Sequence, residues 1–180
     1  MTHKIHLAFA SRDVVCTSVV KIDDDYPSLS CMLAYGSKLE RLTKASEIER
    51  RLRIRPPAVM IYLSQLEIQF SRKWRLLDIN VAAHPRIWGR AVLKPIMGNV
   101  EDVFVSFDVE LDKDQRFQSE VPTSVIWDKA GKQLAVRFEE YPSLTVWSCL
   151  ASGLFIATDS DGMFQELRFV GLNINPDEFR

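Results

Sequence analysis

The chain has 180 residues, 47% of them hydrophobic and 26% charged, which is the make-up of a folded globular protein and excludes an intrinsically disordered one. Its net charge of −1 is unevenly spread: residues 38–94 carry 13 basic and 5 acidic groups, residues 95–180 carry 7 and 15. This polarity excludes a uniformly basic or acidic surface and predicts either packing of one part on the other or two charged faces.

The opening "MTHKIHLAFASRDVV" reaches Arg12 and Asp13 after a short apolar stretch, too brief for a secretory signal or a membrane span. A cytoplasmic protein is therefore expected. Cys16, Cys31 and Cys149 form no CxxC pair and leave an odd thiol, so reduced, buried cysteines are expected. The apolar runs 5–10 and 14–22 around "SRD" predict a first hairpin. Asp23, Asp24 and Asp25 then precede Tyr26-Pro27-Ser28-Leu29.

From Ser37 the period changes. Leu39, Leu42, Ala45, Ile48 and Leu52 fall three or four apart, with basic residues between them, and Pro56-Pro57 supplies the stop. An amphipathic helix over 38–55 follows. Alternation around Ser71-Arg72-Lys73 predicts a second hairpin over 66–81. Residues 82–100, with Pro85, Gly89, Pro95 and Gly98, read as connection, and 103–111 as a strand. Hairpins are expected over 124–138, turning at Ala130-Gly131, and over 154–172, turning at Ser160-Asp161-Gly162, where glycine supplies a positive φ.

Between those two hairpins Glu139-Glu140 precede a second Tyr-Pro-Ser-Leu, at 141–144. Both halves thus read as hairpin, acidic cluster, tetrapeptide, hairpin, and "LEIQFSRKWRLLDINV" aligns with "LFIATDSDGMFQELRFV". The expected fold is α+β and predominantly antiparallel: two pseudo-duplicated sheets packed together, with one amphipathic helix inserted in the first copy. A single compact domain over 1–180 follows, built of pseudo-repeats of about 1–81 and 101–172.

Catalytic signatures are lacking: there is no GxSxG, Walker loop, GxGxxG or HExxH. "DSDG" at 159–162 opens like a calcium loop but lacks its later acidic ligands, and His3, His6 and His84 have no chelating spacing. No cofactor, no metal and no enzymatic activity are expected. Two surfaces remain as binding candidates. Asp23, Asp24, Asp25, Glu139, Glu140, Asp159 and Asp161 can form an acidic rim of the kind that blocks a cationic enzyme. Alternatively Arg50, Arg51 and Arg53 of the basic segment, with Arg72, Lys73, Trp74 and Arg75, can neutralise phosphates and stack on a base.

The stretches "VIWDKAGKQLAVRF" and "GLFIATDSDGMFQELRFVGL" resemble a small bacterial domain of unknown function, over about the last fifty residues. In size, lack of catalytic motifs and sheet character the whole chain resembles the immunity proteins of bacterial polymorphic toxin systems, including those of contact-dependent growth inhibition. That resemblance implies a cytoplasmic protein that neutralises one cognate toxin, commonly a nuclease, by occluding its active site. The two-sheet plan also resembles the Whirly fold, which implies single-stranded nucleic-acid binding instead.

Overall fold

In a computed structural model of the chain, residues 5–12, 14–22, 28–35, 59–98, 100–138 and 145–176 are described. Fourteen strands form among them, many on runs rich in β-branched and aromatic residues. These are β1 (His6–Ser11), β2 (Cys16–Ile22), β3 (Leu29–Tyr35), β4 (Val59–Leu63), β5 (Leu66–Phe70), β6 (Leu76–Val81) and β7 (Gly89–Arg90), followed by β8 (Glu101–Asp108), β9 (Arg116–Ser119), β10 (Thr123–Asp128), β11 (Gln133–Phe138), β12 (Val146–Ala151), β13 (Leu154–Thr158) and β14 (Phe164–Val170). They make an eight-stranded sheet of order β1-β8-β12-β13-β14-β11-β10-β7 and a six-stranded sheet of order β2-β3-β6-β5-β4-β9. The buried apolar side chains of both sheets belong to one core cluster, so each sheet covers the other.

The expected α+β class is corrected to β. Strand makes up 60% of the structure and helix 3%, with no α-helix among the described residues; the helical element there is a 3-10 turn at Pro85–Ile87. Two sheets that bury each other's apolar faces need no helix to complete the core. The segment 38–55, read as an amphipathic helix, lies outside the described residues. Nor is the pairing antiparallel throughout: β7 runs parallel to β10, β8 to β12 and β9 to β4, so both sheets are mixed.

The first expected hairpin is a second correction. β1 pairs with β8 and β2 with β3, in different sheets. Polar residues between two apolar runs serve a corner between sheets as well as a tight turn. Arg12 marks this one as a corner, because it is only 7% exposed. The other three hairpins form where alternation puts them: β5 with β6, β10 with β11, and β13 with β14.

The two sheets share one plan. Strands β2-β3-β6-β5-β4 have the order and sense of β10-β11-β14-β13-β12, and each series gains a parallel neighbour, β9 on β4 and β8 on β12. The register agrees row by row. Val20, Cys31, Ile79 and Ile68 lie across the first series as Val125, Val136, Leu167 and Ile156 lie across the second. Irregularities fall at matching places too, between Gln69 and Phe70 and between Ala157 and Thr158. The tetrapeptides do not match: the first follows β2 and ends on Leu29, the first residue of β3, whereas the second falls between β11 and β12, the counterpart of the β3–β4 connection.

Candidate functional site

The turn from Ser71 to Arg75 joins β5 to β6. The Ser71 N–H donates to the Arg75 carbonyl at 2.8 Å, and Trp74 N–H donates to the Ser71 carbonyl at 2.9 Å. Ser71 Oγ accepts from the amides of Lys73 and Arg75 at 3.3 and 3.1 Å. The counterpart turn, Asp159 to Met163, is closed the same way: Asp159 Oδ1 accepts from the amides of Asp161 and Met163, both at 2.9 Å. Its fourth residue is Gly162, at φ +78°. Trp74 occupies that position in the basic turn, at φ 53°. A bulky side chain in the left-handed region costs about 1–2 kcal/mol, and here it projects an indole from the end of a hairpin.

The indole packs on Phe70, with ring centroids 5.3 Å apart, and Phe70 meets Phe107 of β8 at 5.6 Å. Phe107 meets Phe164, the residue that follows the acidic turn, at 5.9 Å. This aromatic chain anchors both turns to the shared core. Above it, Trp74, Lys73 and Arg75 face Ala8–Ala10 of β1 and Phe104–Ser106 of β8 across a cleft of about 480 Å³. A second cavity, of about 610 Å³, shares Ala8, Trp74 and Ser106 with the first and reaches His6 and Asp108. Tyr35 backs the basic end, its ring 5.8 Å from Phe104 and 5.9 Å from the Arg75 guanidinium.

The two ends of this cleft differ in charge. Lys73 and Arg75 are exposed at one. At the other lies exposed Asp108, paired in register with His6; the acidic turn lines neither cavity but meets His6 through a bridge to Met163. Leu7 N–H donates to the Gly162 carbonyl at 3.0 Å, and Phe164 N–H to the Ile5 carbonyl at 2.9 Å. The basic turn of one sheet and the acidic turn of the other, at matching places in the shared plan, thus converge on β1.

Of the residues singled out from sequence, Arg72, Lys73 and Arg75 are exposed and Trp74 is half-buried. Asp161 is exposed, but the Asp159 carboxylate is engaged in its own turn and also accepts from Gln165 Nε2 at 3.3 Å. Asp23, Asp24, Asp25, Glu139, Glu140, Arg50, Arg51 and Arg53 lie outside the described residues. Sequence reasoning missed Ala8, Phe9, Ala10 and Phe104. The available signal was "HLAFA" itself, apolar at consecutive positions rather than at alternate ones, with Phe9 left 39% exposed.

Other polar groups in the interior serve structure. Asp128 accepts from the amides of Gly131 at 2.9 Å and Leu93 at 3.0 Å; these bonds hold its carboxyl below the usual carboxylate range. Arg168 and Glu166, both nearly fully buried, form an ion pair with Arg137 completing it at 2.8 Å, and the Arg168 guanidinium lies 4.6 Å from the Trp147 ring centre. Burial pushes the Cys16 and Cys31 thiols up and the Cys149 thiol to about 11. Protonated thiols are poor nucleophiles. Among the described residues no three His, Cys, Asp or Glu side chains gather as a metal site, and no helix is long and apolar enough to cross a membrane. No protein-family model and no curated protein matches the chain.

Proposed function

We propose that this chain is a binding protein that neutralises a partner polypeptide by seating part of it in the cleft between β1, β8 and the turn at 71–75. The observation that carries this reading is the opposite charge of the cleft's two ends across an apolar floor. A nucleic-acid strand carries a negative charge at every phosphate and meets repulsion from Asp108. A polypeptide can present an acid to Lys73 and Arg75 and a base to Asp108. The resemblance to immunity proteins of polymorphic toxin systems supplies the partner class: a cognate toxin, such as a nuclease, met in the cytoplasm.

The test is binding of the purified chain to the polypeptides encoded by the genes flanking its own. One of them is expected to form a complex and to lose its toxic activity in it. Trp74→Gly and the double variant Lys73→Glu/Arg75→Glu are expected to weaken that complex at least tenfold, about 1.4 kcal/mol, the double variant with a melting temperature close to that of the parent. Complexes indifferent to both variants, or none at all, overturn the reading. Salt-dependent retention of a twenty-nucleotide single strand, lost on charge reversal, favours nucleic-acid binding in its place.

A further inference from the structure

The edge of β1 shows how a partner can be held. Amide groups along a strand point alternately to its two sides. Arg12 N–H donates inward to the Asp102 carbonyl of β8 at 3.0 Å, whereas Leu7 N–H points the other way, to Gly162. By the same alternation the N–H and C=O of Phe9 and Ser11 point off the sheet, where β1 is the outermost strand. None of these groups has a main-chain partner among the described residues. The chain itself demonstrates that this edge accepts a strand: residues 162–164 lie antiparallel along its first part, bonded to Leu7 and Ile5.

Resting on the reading of a polypeptide partner, we propose that β1 binds an extended partner segment by strand addition, antiparallel and in line with residues 162–164, through the main chain of Phe9 and Ser11. Main-chain bonds give such a segment its hold and side chains give its specificity. The half-exposed Phe9 ring selects a β-branched or aromatic residue opposite it. Lys73 and Arg75, which face Ala8–Ala10, select an acidic residue beside that one. The free edge is short, so the cleft's charges rather than length determine which segment binds.

The probe is a phage-displayed library of random ten-residue peptides, panned on the full chain. Hydrogen exchange at single amides is then followed by NMR in the free protein and with the enriched peptides. Enriched sequences are expected to combine an acidic residue with a β-branched or aromatic run, and to slow exchange at Phe9 and Ser11 at least tenfold while leaving the inward amides of Ala8 and Ala10 unchanged. Lys73→Glu/Arg75→Glu, both at exposed positions and checked for a melting temperature close to the parent's, is expected to weaken them at least tenfold. A library that yields no binder overturns strand addition, and so do peptides that leave Phe9 and Ser11 unprotected. Protection of both amides in the free protein overturns it as well, because the chain then fills its own edge. If a flanking-gene product binds and responds to charge reversal while these two amides exchange freely, strand addition fails and the polypeptide-binding reading stands.

Discussion

Cys149 lies in β12 with Sγ 3.2 Å from the Ala151 carbonyl, an acceptor that only the protonated thiol can use. Burial, and the nearby Asp102 carboxylate, raise its pKa from 9.0 to about 11. Burial raises Cys16 too, against the opposing pull of Arg12, and raises Cys31 with help from Asp78. A thiol with a raised folded pKa stabilises the fold fully below its unfolded pKa. That contribution is lost as pH climbs through the folded value, because the unfolded chain gives up its proton first. Stability in urea is therefore expected to fall between about pH 9 and 11, and Cys149→Ala should flatten that slope in proportion to its share. An alkaline limb unchanged by Cys149→Ala would show that its thiol is no better protected in the fold than in the open chain. The same chemistry bears on function: three protonated thiols suit a core, and a nucleophile needs the thiolate.

At the scale of strands, the shared plan is a statement about rows of side chains. Ile68 and Ile156 occupy the same place in their series, both essentially inaccessible, each opposite a buried aliphatic residue, Ile79 or Leu167. Truncating either to alanine is expected to cost about 3 kcal/mol in chemical denaturation, from lost transfer energy and the cavity left behind. If one truncation cost about 3 kcal/mol and the other under 1, the two rows would not be mechanical equivalents. These rows were legible because alternation and turn chemistry are local: "LEIQF" and "LFIAT" declare their buried faces, and Gly162 declares the turn it permits. Strand partners were not legible. Nothing in "HLAFAS" says that it pairs with residues 103–108 rather than with the run beginning at Cys16. The Tyr-Pro-Ser-Leu repeat misleads for a related reason: a proline corner suits any exit from a strand, so the tetrapeptide appears in connections that are not counterparts. The site was half legible on the same grounds. Composition singled out Arg72 to Arg75, whereas the opposite wall came from β1 and β8, brought there only by the crossing between sheets.

For the whole molecule that crossing is decisive, since it makes β1 an added edge on one sheet while β2 opens the other. Four hydrogen bonds hold the corner: Arg12 donates to the Leu150 carbonyl and to the Asp102 carboxylate, Ser152 N–H donates to the Cys16 carbonyl at 3.1 Å, and Ser18 Oγ donates to the Ser152 carbonyl at 2.6 Å. The ion pair at 2.7 Å is lopsided, with side-chain exposures of 2% for Arg12 and 59% for Asp102. Removing one partner matters through what happens to the one left behind. Arg12→Met leaves Asp102 to water and fills the guanidinium's volume with apolar atoms, so its main cost is the unpaired Leu150 carbonyl, about 1–2 kcal/mol. Asp102→Ala strands a buried guanidinium whose Nε already has no partner, which is expected to cost about 3 kcal/mol. The more exposed residue should therefore be the more damaging one to lose, a ranking that urea titration of the two variants reads directly. If Arg12→Met proved the costlier, the corner would be held by the carbonyl bond rather than by charge pairing. Looser attachment at this corner should also show in binding: Asp102→Ala is expected to weaken any partner that uses β1 even though Asp102 lines neither cavity, because Asp102 holds the end of β1 just beyond its last pair with β8, Ser11 with Val103.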